Sequence, residues 1–526
     1  MKIDPRRAIV GLSAALATTA HAIEIDTGNP DIVLRWDNTV KYSAAVRVLG
    51  RDPRLTQAAA GANPNADDGD NNFSRGFVSS RFDILSEADL TYRKQYGVRV
   101  SGAAWYDSIY NRSTDNQTST ANHLPSTEFP SETRRVMGRD AEVLDAFAWG
   151  NFELGDVPAS VRLGRHTLLW GESLFFGSNG IAGGQAPVDL VKLQSVPNSQ
   201  FKETIRPTAK LSAQATLNSV VSVAAYYGFE WERTRLLPSG SYLSTNDFIG
   251  PGGENFRAGP ALFPHVSDVK PPSSGQGGGQ VRLHVAEIDI GLYAIRYHAF
   301  VPSNVVLIST PQPAGPPAPL GYSRFYREGI RAYGVSFAKS LASDWSIAGE
   351  ASYRQNTPLA SAGQRALSPI AFNNSSNPPY AVGESAHVQF SWTKSFGPTF
   401  ISREALFLGE IAWNTRTRFT SGEALADPNA SRSAFAVRMV YGPTYRQIVS
   451  GLDLTPTFGG GATDANSSAV GSPFGTKHSG DLNVGISAVY LDRWFASMNY
   501  VHYVGPLQWQ LQKDRDFVNV SLRTTF

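Results

Sequence analysis

No cysteine occurs in the 526 residues, so neither a disulfide framework nor a thiolate metal site can belong to the fold. Excess charge of one sign is missing too. The 47 lysines and arginines meet 45 aspartates and glutamates, a balance of +2 that leaves no electrostatic footprint for nucleic acid. Long apolar runs are absent beyond the chain start. A membrane-crossing helix needs roughly 20 consecutive apolar residues, and no stretch after Ala22 approaches that. No linker-like segment divides the chain into soluble domains either.

The first residues do carry a short apolar run. Lys2, Arg6 and Arg7 precede Ala8 to Ala20, and Ala20-His21-Ala22 places small residues on either side of His21. A basic start, an apolar run and an A-x-A site make a secretory signal, so residues 1–22 are expected to be cut off after Ala22. The alternative is a buried N-terminal helix.

What fills the rest of the chain is alternation. Val518, Val520, Leu522, Thr524 and Phe526 oppose Asn519, Ser521 and Arg523. Ile32, Leu34, Trp36, Val40, Tyr42, Ala44 and Val46 oppose Arg35, Asp37, Lys41, Ser43 and Arg47, with Asn38 the one polar residue in the apolar file. A period of two is that of a strand with one apolar face. Eighteen such segments begin near 31, 76, 96, 140, 159, 205, 220, 279, 288, 323, 345, 385, 403, 431, 444, 481, 493 and 514. Short and long connections alternate between them. Short ones fall near 93–95, 286–287 and 442–443, and long ones near 50–75, 171–204 and 456–480.

These features imply an all-β fold: a single transmembrane antiparallel barrel over 23–526 of about 18 strands, range 14–18, with short periplasmic turns and long outer loops. Hydrocarbon offers no partner to backbone polar groups, so a spanning sheet must close. A soluble sandwich or propeller is the alternative. Aromatics near segment ends, among them Trp36, Tyr42, Tyr92, Trp105, Tyr110, Trp231 and Trp413, fit interfacial girdles. The expected setting is the outer membrane of a Gram-negative bacterium, among its lipid and lipopolysaccharide.

Alternation also assigns side chains to the lumen: Arg35, Asp37, Lys41, Arg47, Arg81, Asp83, Glu87, Asp89, Arg99, Asp107, Glu350, Arg354, Glu404 and Glu410. Both signs occur together. A ring of one sign would indicate ion selectivity, whereas a mixed lining indicates bracing ion pairs or a partly closed lumen.

Residues 164–206 are too apolar for a loop standing in water. Arg165, His166, Trp170, Glu172, Phe175, Phe176, Gly183, Gly184 and Gln185 are the candidate constriction, an inward-folded hatch whose glycines let the backbone pack closely. The alternative is a surface loop packed on its neighbours. Asp67-Asp68-Gly69-Asp70-Asn71-Asn72 lacks EF-hand spacing and its closing glutamate, so it reads as a solvated loop and no metal or cofactor is expected. Gly275, Gly277, Gly278 and Gly279 read as a flexible loop, and the proline run at 311–319 as a stiff one. The histidines are scattered, and His387 and His502 have no evident partner, so no catalytic group is assigned and an enzyme is not expected.

Several stretches are distinctive. They include Glu24-Ile25-Asp26-Thr27-Gly28-Asn29-Pro30 leading to Leu34-Arg35-Trp36-Asp37-Asn38-Thr39, then Gly164-Arg165-His166 with Trp170-Gly171-Glu172-Ser173-Leu174-Phe175. Asn179-Gly180-Ile181-Ala182-Gly183-Gly184-Gln185-Ala186-Pro187, Phe201-Lys202-Glu203, Pro443-Thr444-Tyr445 and Gly451-Leu452-Asp453-Leu454 join them. Together they resemble the proteobacterial family called domain of unknown function 1302, over essentially the whole mature chain. The resemblance implies an outer-membrane protein without an established enzymatic role. It also implies a periplasmic lipid-binding-type protein and an inner-membrane efflux permease as partners, and lipid-, sterol- or terpene-like molecules as substrates. It assigns no functional residues. The leading expectation is a transport barrel for a hydrophobic or amphipathic small molecule. The alternatives are a general diffusion porin and a non-conducting scaffold or secretion partner.

Overall fold

A computed structural model describes residues 23–312, 317–367 and 372–526. Residues 1–22, where a signal was expected, and part of the proline run, 313–316, lie outside the described residues. Eighteen antiparallel strands form one closed sheet. They are β1 (Ile32–Arg47), β2 (Gly76–Tyr92), β3 (Tyr96–Asp107), β4 (Arg139–Leu154), β5 (Val157–His166), β6 (Thr208–Thr216), β7 (Val221–Gly228), β8 (Gln276–Val285) and β9 (Ile288–Tyr297). The second half is β10 (Ile330–Leu341), β11 (Trp345–Pro358), β12 (Val382–Phe396), β13 (Glu404–Ser421), β14 (Ser433–Val449), β15 (Leu452–Thr463), β16 (Ser479–Tyr490), β17 (Trp494–Val504) and β18 (Phe517–Thr525). Each strand pairs with its neighbours in sequence, and β18 closes on β1 from Thr39↔Thr525 to Arg47↔Phe517. No barrel edge is left unpaired, which is what hydrocarbon requires.

Side chains sort as the alternation demands. Trp36, Phe82, Ile84, Leu90, Val100 and Leu522 are exposed on the outer face, while Lys41, Ser43, Arg81, Asp83 and Glu87 are buried inside. Asn38 breaks the apolar file where β18 ends. Its backbone N–H donates to Phe526 O at 2.7 Å, and Phe526 N–H donates to Asn38 O at 2.9 Å. Three aromatics of the expected girdle are instead inside. Trp105, Tyr110 and Trp231 are buried, and Trp105 lies under the cations of Arg81 and Lys192, at 5.0 and 5.2 Å.

Two boundaries differ from the sequence reading. Gly442-Pro443 is not a turn, because β14 runs on to Val449 and the turn lies at Ser450-Gly451, with Gly451 at φ 78. Pro443 has no N–H to give. It pairs with Ala405 on one side, and on the other it lies between Tyr441↔Phe458 and Tyr445↔Leu454, ahead of a register shift between Tyr445 and Val449. Residues 452–463 are consequently wall, where a loop was expected from 456. Gly277, Gly278 and Gly279 are likewise wall, in β8 rather than a flexible loop. A Cβ on Gly278 would stand 3.0 Å from both Ala294 O and the Tyr226 ring, so glycine lets that ring lie across the strand.

The long connections are not loose. Asn255–Ala258, Ala261–Val269, Asn304–Thr310, Ala318–Phe325 and Gln364–Ala366 form a separate five-stranded sheet above the barrel. The acidic run at 67–72, expected to be solvated, is buried, with Asp67, Asp68 and Asp70 at 1, 5 and 0 % exposure. It packs against other long loops.

Several short turns carry two consecutive left-handed residues: Arg93-Lys94, Ala286-Glu287, Ser343-Asp344 and Leu491-Asp492. Three of these connections have a third residue, and Ala286-Glu287 is a two-residue reversal. This is the turn whose twist matches that of the strands, yet no glycine occupies it. An L-residue pays roughly 1–2 kcal/mol for that conformation. Glu287→Gly, at φ 63, is therefore expected to stabilise the barrel by about 1 kcal/mol. A urea-unfolding midpoint in lipid vesicles checks this, and a lowered midpoint would contradict the turn geometry.

Candidate functional site

The connection from β5 to β6, residues 167–207, does not stand outside the barrel. It crosses the lumen and is tied to two well-separated sectors of the wall. An irregular segment inside a barrel brings backbone N–H groups with no sheet partner, so acceptors must be supplied. Two lumen carboxylates supply them. Glu350 accepts from Glu172 N at 2.8 Å and Ile181 N at 2.9 Å, with the Gln389 amide at 3.0 Å. Glu410 accepts from Leu174 N at 3.0 Å, from Phe175 N and from Phe176 N at 2.8 Å. Arg354 does the converse, donating to the carbonyls of Ser178, Asn179 and Gly180 at 3.1, 2.8 and 2.8 Å.

Glycine is what lets the backbone come this close. A Cβ on Gly180 would lie 2.1 Å from Glu350 Oε1, and one on Gly171 (φ +99) would lie 2.4 Å from Oε2. Asn179 completes the anchor. Its Oδ1 accepts from Asn414 Nδ2 and from His387 Nδ1, both at 3.1 Å. That fixes His387 Nε2 as the acceptor for Ser385 Oγ at 2.8 Å. The Ser385–His387–Asn179 chain has the order of a nucleophile relay. Ser385 and Asn179 are both 0 % exposed, so no substrate reaches it and it acts as a clamp.

The returning limb is held by charge. Lys192 lies 2.8 Å from Asp83 and 3.6 Å from Glu203, and Lys41 lies 3.8 Å from Glu203. Lys202 pairs with Glu87. Asn198 Nδ2 donates to Ser521 Oγ at 3.2 Å, and Arg523 donates to Asn198 O at 3.3 Å. The segment thus bridges β11–β13 to β18, β1 and β2.

The lumen residues read from alternation divide by height. Lys41, Arg47, Arg81, Asp83, Glu87, Asp107, Glu350, Arg354 and Glu410 are buried. Arg47 pairs with Asp70 of the first long loop at 2.5 Å, and Asp107 accepts from Ser80 N and Ile109 N. Toward the short-turn end the wall is open. Arg35 is exposed, Asp37 is half-buried, Arg99 bonds Glu87 and Asp89, and Glu404 pairs with Arg446. The lumen is packed in its long-loop half and forms a vestibule in its short-turn half.

Of the constriction residues, Trp170 packs on Tyr226 and Tyr293 at 5.3 and 6.2 Å, and its N–H donates to Gln185 Oε1. Phe176 meets Phe474 at 5.8 Å, and Glu172 pairs with Arg282 at 3.1 Å. Gly183 and Gly184 sit where a Cβ would meet Gly177 O and the Tyr297 ring, at 2.7 and 3.0 Å. His166 donates from Nδ1 to Gly164 O at 3.0 Å and accepts from Ser212 Oγ at 2.8 Å. Arg165 is not part of the group. It shares the outer face of the wall with Leu163 and pairs with Glu230 at 2.7 Å.

One sector of wall is different. On β14–β17 Phe495, Val501 and Tyr503 face inward, but many inward residues are small or polar, among them Thr455, Thr457, Gly459, Gly461, Asn483, Gly485, Ser487 and Asn499. These remain partly exposed, unlike those facing the segment, whereas Thr463, Ser479 and Ser497 on the same face are buried. Arg438 and Asp481 form a bidentate ion pair on this face, at 2.7 and 2.9 Å. This polar strip between segment and wall is the candidate path. A separate volume of about 280 Å³ lies among Arg135, Glu142, Arg206, Glu232, Arg233 and Arg235 at the long-loop end. Arg235 bonds Glu142 and Asp189, Arg206 bonds Glu232 and Arg233 bonds Asp268, so these arginines brace the base of the segment.

Thr457, Gly459 and Gly461 of the strip escaped the sequence reading because the turn placed at 442–443 left 456–480 outside the wall. Asn179 and Gln389 gave no local signal, since their partners lie about 210 residues apart.

Glu410→Gln leaves one carbonyl oxygen where three N–H groups converge. Hydrogen bonds to a charged group contribute about 1.5–3 kcal/mol each. Amide exchange at Leu174, Phe175 and Phe176 is expected to rise at least about tenfold, with β1–β4 unchanged. Unaltered protection would show that Glu410 is not the anchor.

The family model described as protein of unknown function (DUF1302) matches residues 5–526. No curated protein matches the chain. Among solved structures, Acinetobacter baumannii OccAB2 aligns with TM-score 0.45 at 10% identity, over 94% of this chain and 98% of that one. Acinetobacter baumannii OccAB1 aligns with TM-score 0.46 at 9% identity, over 96% and 98%. A BenF-like porin from Pseudomonas fluorescens Pf-5 aligns with TM-score 0.44 at 9% identity, over 94% and 98%.

Proposed function

The chain belongs to the family described as protein of unknown function (DUF1302), and we propose that it is a selective outer-membrane transport barrel whose inward segment confines passage to the β14–β17 strip. The observation that carries this is the contrast between inaccessible lumen side chains facing the segment and accessible ones on that strip. A wide diffusion pore would leave both accessible. The cargo is a small amphipathic molecule. Asn483, Ser487 and Asn499 offer hydrogen bonds to a polar end, and Gly459 and Gly485 let the Asn483 and Asn499 amides lie flat against the wall, where a Cβ would stand 2.5 and 2.0 Å from their Oδ1 atoms. This lining favours an amphipathic lipid-, sterol- or terpene-like molecule over a wholly apolar one. The vestibule at the short-turn end is the face that a periplasmic lipid-binding-type partner, working with an inner-membrane permease, would meet. Export by a signal peptide cut after Ala22 belongs to the same reading.

Single-channel conductance of the refolded mature chain in planar bilayers tests it. A small current is expected, reduced by Thr457→Trp in the strip and raised several-fold by deleting 174–186. A large, steady current indifferent to both changes would make the protein a general diffusion porin. No current from any of the three would make it a scaffold.

A further inference from the structure

We propose that Asp67, Asp68 and Asp247, together with Asn122 and Ser239, form a divalent-cation site of calcium type that locks three outer loops together. Carboxylate oxygens of the three aspartates lie within 4.8 Å of one another. They come from loops far apart in sequence. Asp67 and Asp68 belong to the connection before β2, Asn122 to the one before β4, and Ser239 and Asp247 to the one before β8.

Acidic residues often cluster without binding anything, so the argument turns on oxygens that have no partner. Asp67 Oδ1, Asp247 Oδ1, Asn122 Oδ1 and Ser239 Oγ are all buried and accept or donate no hydrogen bond. Ser239 and Asn122 are each 3 % exposed. Both line the same small cavity as Asp68 and Asp247, about 10 Å³, which is room for a single ion or water. A buried polar atom without a partner costs about 1–3 kcal/mol; Asp247, Asn122 and Ser239 bring three such atoms to one cavity, with Asp67 beside Asp247, and point to a ligand that they share.

The remaining bonds hold these oxygens in place. Asp68 accepts from Asn116 Nδ2 and Asn122 N at 3.2 and 2.9 Å, Asp247 Oδ2 accepts from Asp68 N at 3.1 Å, and Asp67 Oδ2 accepts from Asn71 Nδ2 at 3.1 Å. Gly69 lets the loops meet, since a Cβ there would lie 2.5 Å from Ser241 O and 2.7 Å from Ser244 O.

Protein cations balance the charge only in part, since Arg515 is the cation that acts on both Asp67 and Asp247. Arg47 is engaged with Asp70 at 2.5 Å and with Asp514 at 3.2 Å. Arg515 directs Nη1 to the carbonyls of Tyr242 and Ser244, at 2.9 and 2.6 Å. Either protons or a cation must offset the remainder of the charge. An all-oxygen donor set of carboxylates, an amide carbonyl and a hydroxyl suits calcium, with water completing six to eight ligands. The site lies on the long-loop side, where extracellular sites bind calcium in the 10⁻⁴–10⁻³ M range.

The test is a calcium titration of the full mature chain, refolded in detergent and stripped with EDTA. One calcium ion bound per chain by equilibrium dialysis is expected, with a thermal midpoint raised by several degrees in millimolar calcium and little changed by magnesium. Asp247→Asn is expected to abolish both effects. If the cluster is held by shared protons instead, calcium leaves the midpoint unmoved and Asp247→Asn is at least as stable as the parent, and the proposal fails. Should that variant not refold, the titration of the parent chain decides alone.

Discussion

A backbone N–H inside a barrel must find an acceptor, and the organisation of this lumen follows from how that requirement is met. The wall satisfies itself through its closed ladder. The inward segment cannot, because it is irregular and touches no sheet edge. Glu350 and Glu410 take up the N–H groups of Glu172, Ile181, Leu174, Phe175 and Phe176, while Arg354 takes the carbonyls of Ser178, Asn179 and Gly180. Each lost partner would leave a buried group costing about 1–3 kcal/mol. The charges of the wall are therefore positioned for a segment far away in sequence, more than for one another.

The second anchor works by a different rule. Lys41 and Lys192 lie between Asp83 and Glu203, and Trp105 packs beneath Arg81, Lys192 and Arg235. Buried ion pairs add little net stability, since desolvation offsets their attraction, but removing one partner is costly. Such a network fixes where the returning limb sits. One anchor made of carboxylates and backbone, and another made of paired charges, hold the segment against two sectors of wall and leave the β14–β17 sector uncovered. The narrowness of the path and its polar lining are two results of the same placement.

Much of the fold was legible in the sequence because its cause is local. Alternation of Val518 to Phe526 or Ile32 to Val46 is a property of neighbours, and the short and long connections follow from it. Pro443 misled for an equally local reason, as a residue that usually ends a strand sits inside one, a few residues before a register shift. The inward segment showed itself through apolar and glycine content. Its partners did not: nothing near Asn179 announces His387 or Asn414, and nothing in the run from Asp67 to Asn72 announces Asp247. The acidic run looked like a solvated loop because its burial depends on two other loops folding over it. Periodicity also gave Glu410 and Arg354 the right face while leaving open what they bind.

The absence of cysteine makes one measurement especially direct. Single substitutions Thr457→Cys and Ser487→Cys lie on the open strip, and Ala412→Cys and Ser385→Cys face the anchored segment. The rate of modification of each by a small, membrane-impermeant thiol reagent, in the barrel refolded into lipid vesicles, reports which parts of the lumen hold water. Fast reaction at 457 and 487 with little at 412 and 385 is the expected result. Equal rates at all four positions would mean that the segment does not occupy the lumen, and would contradict the account.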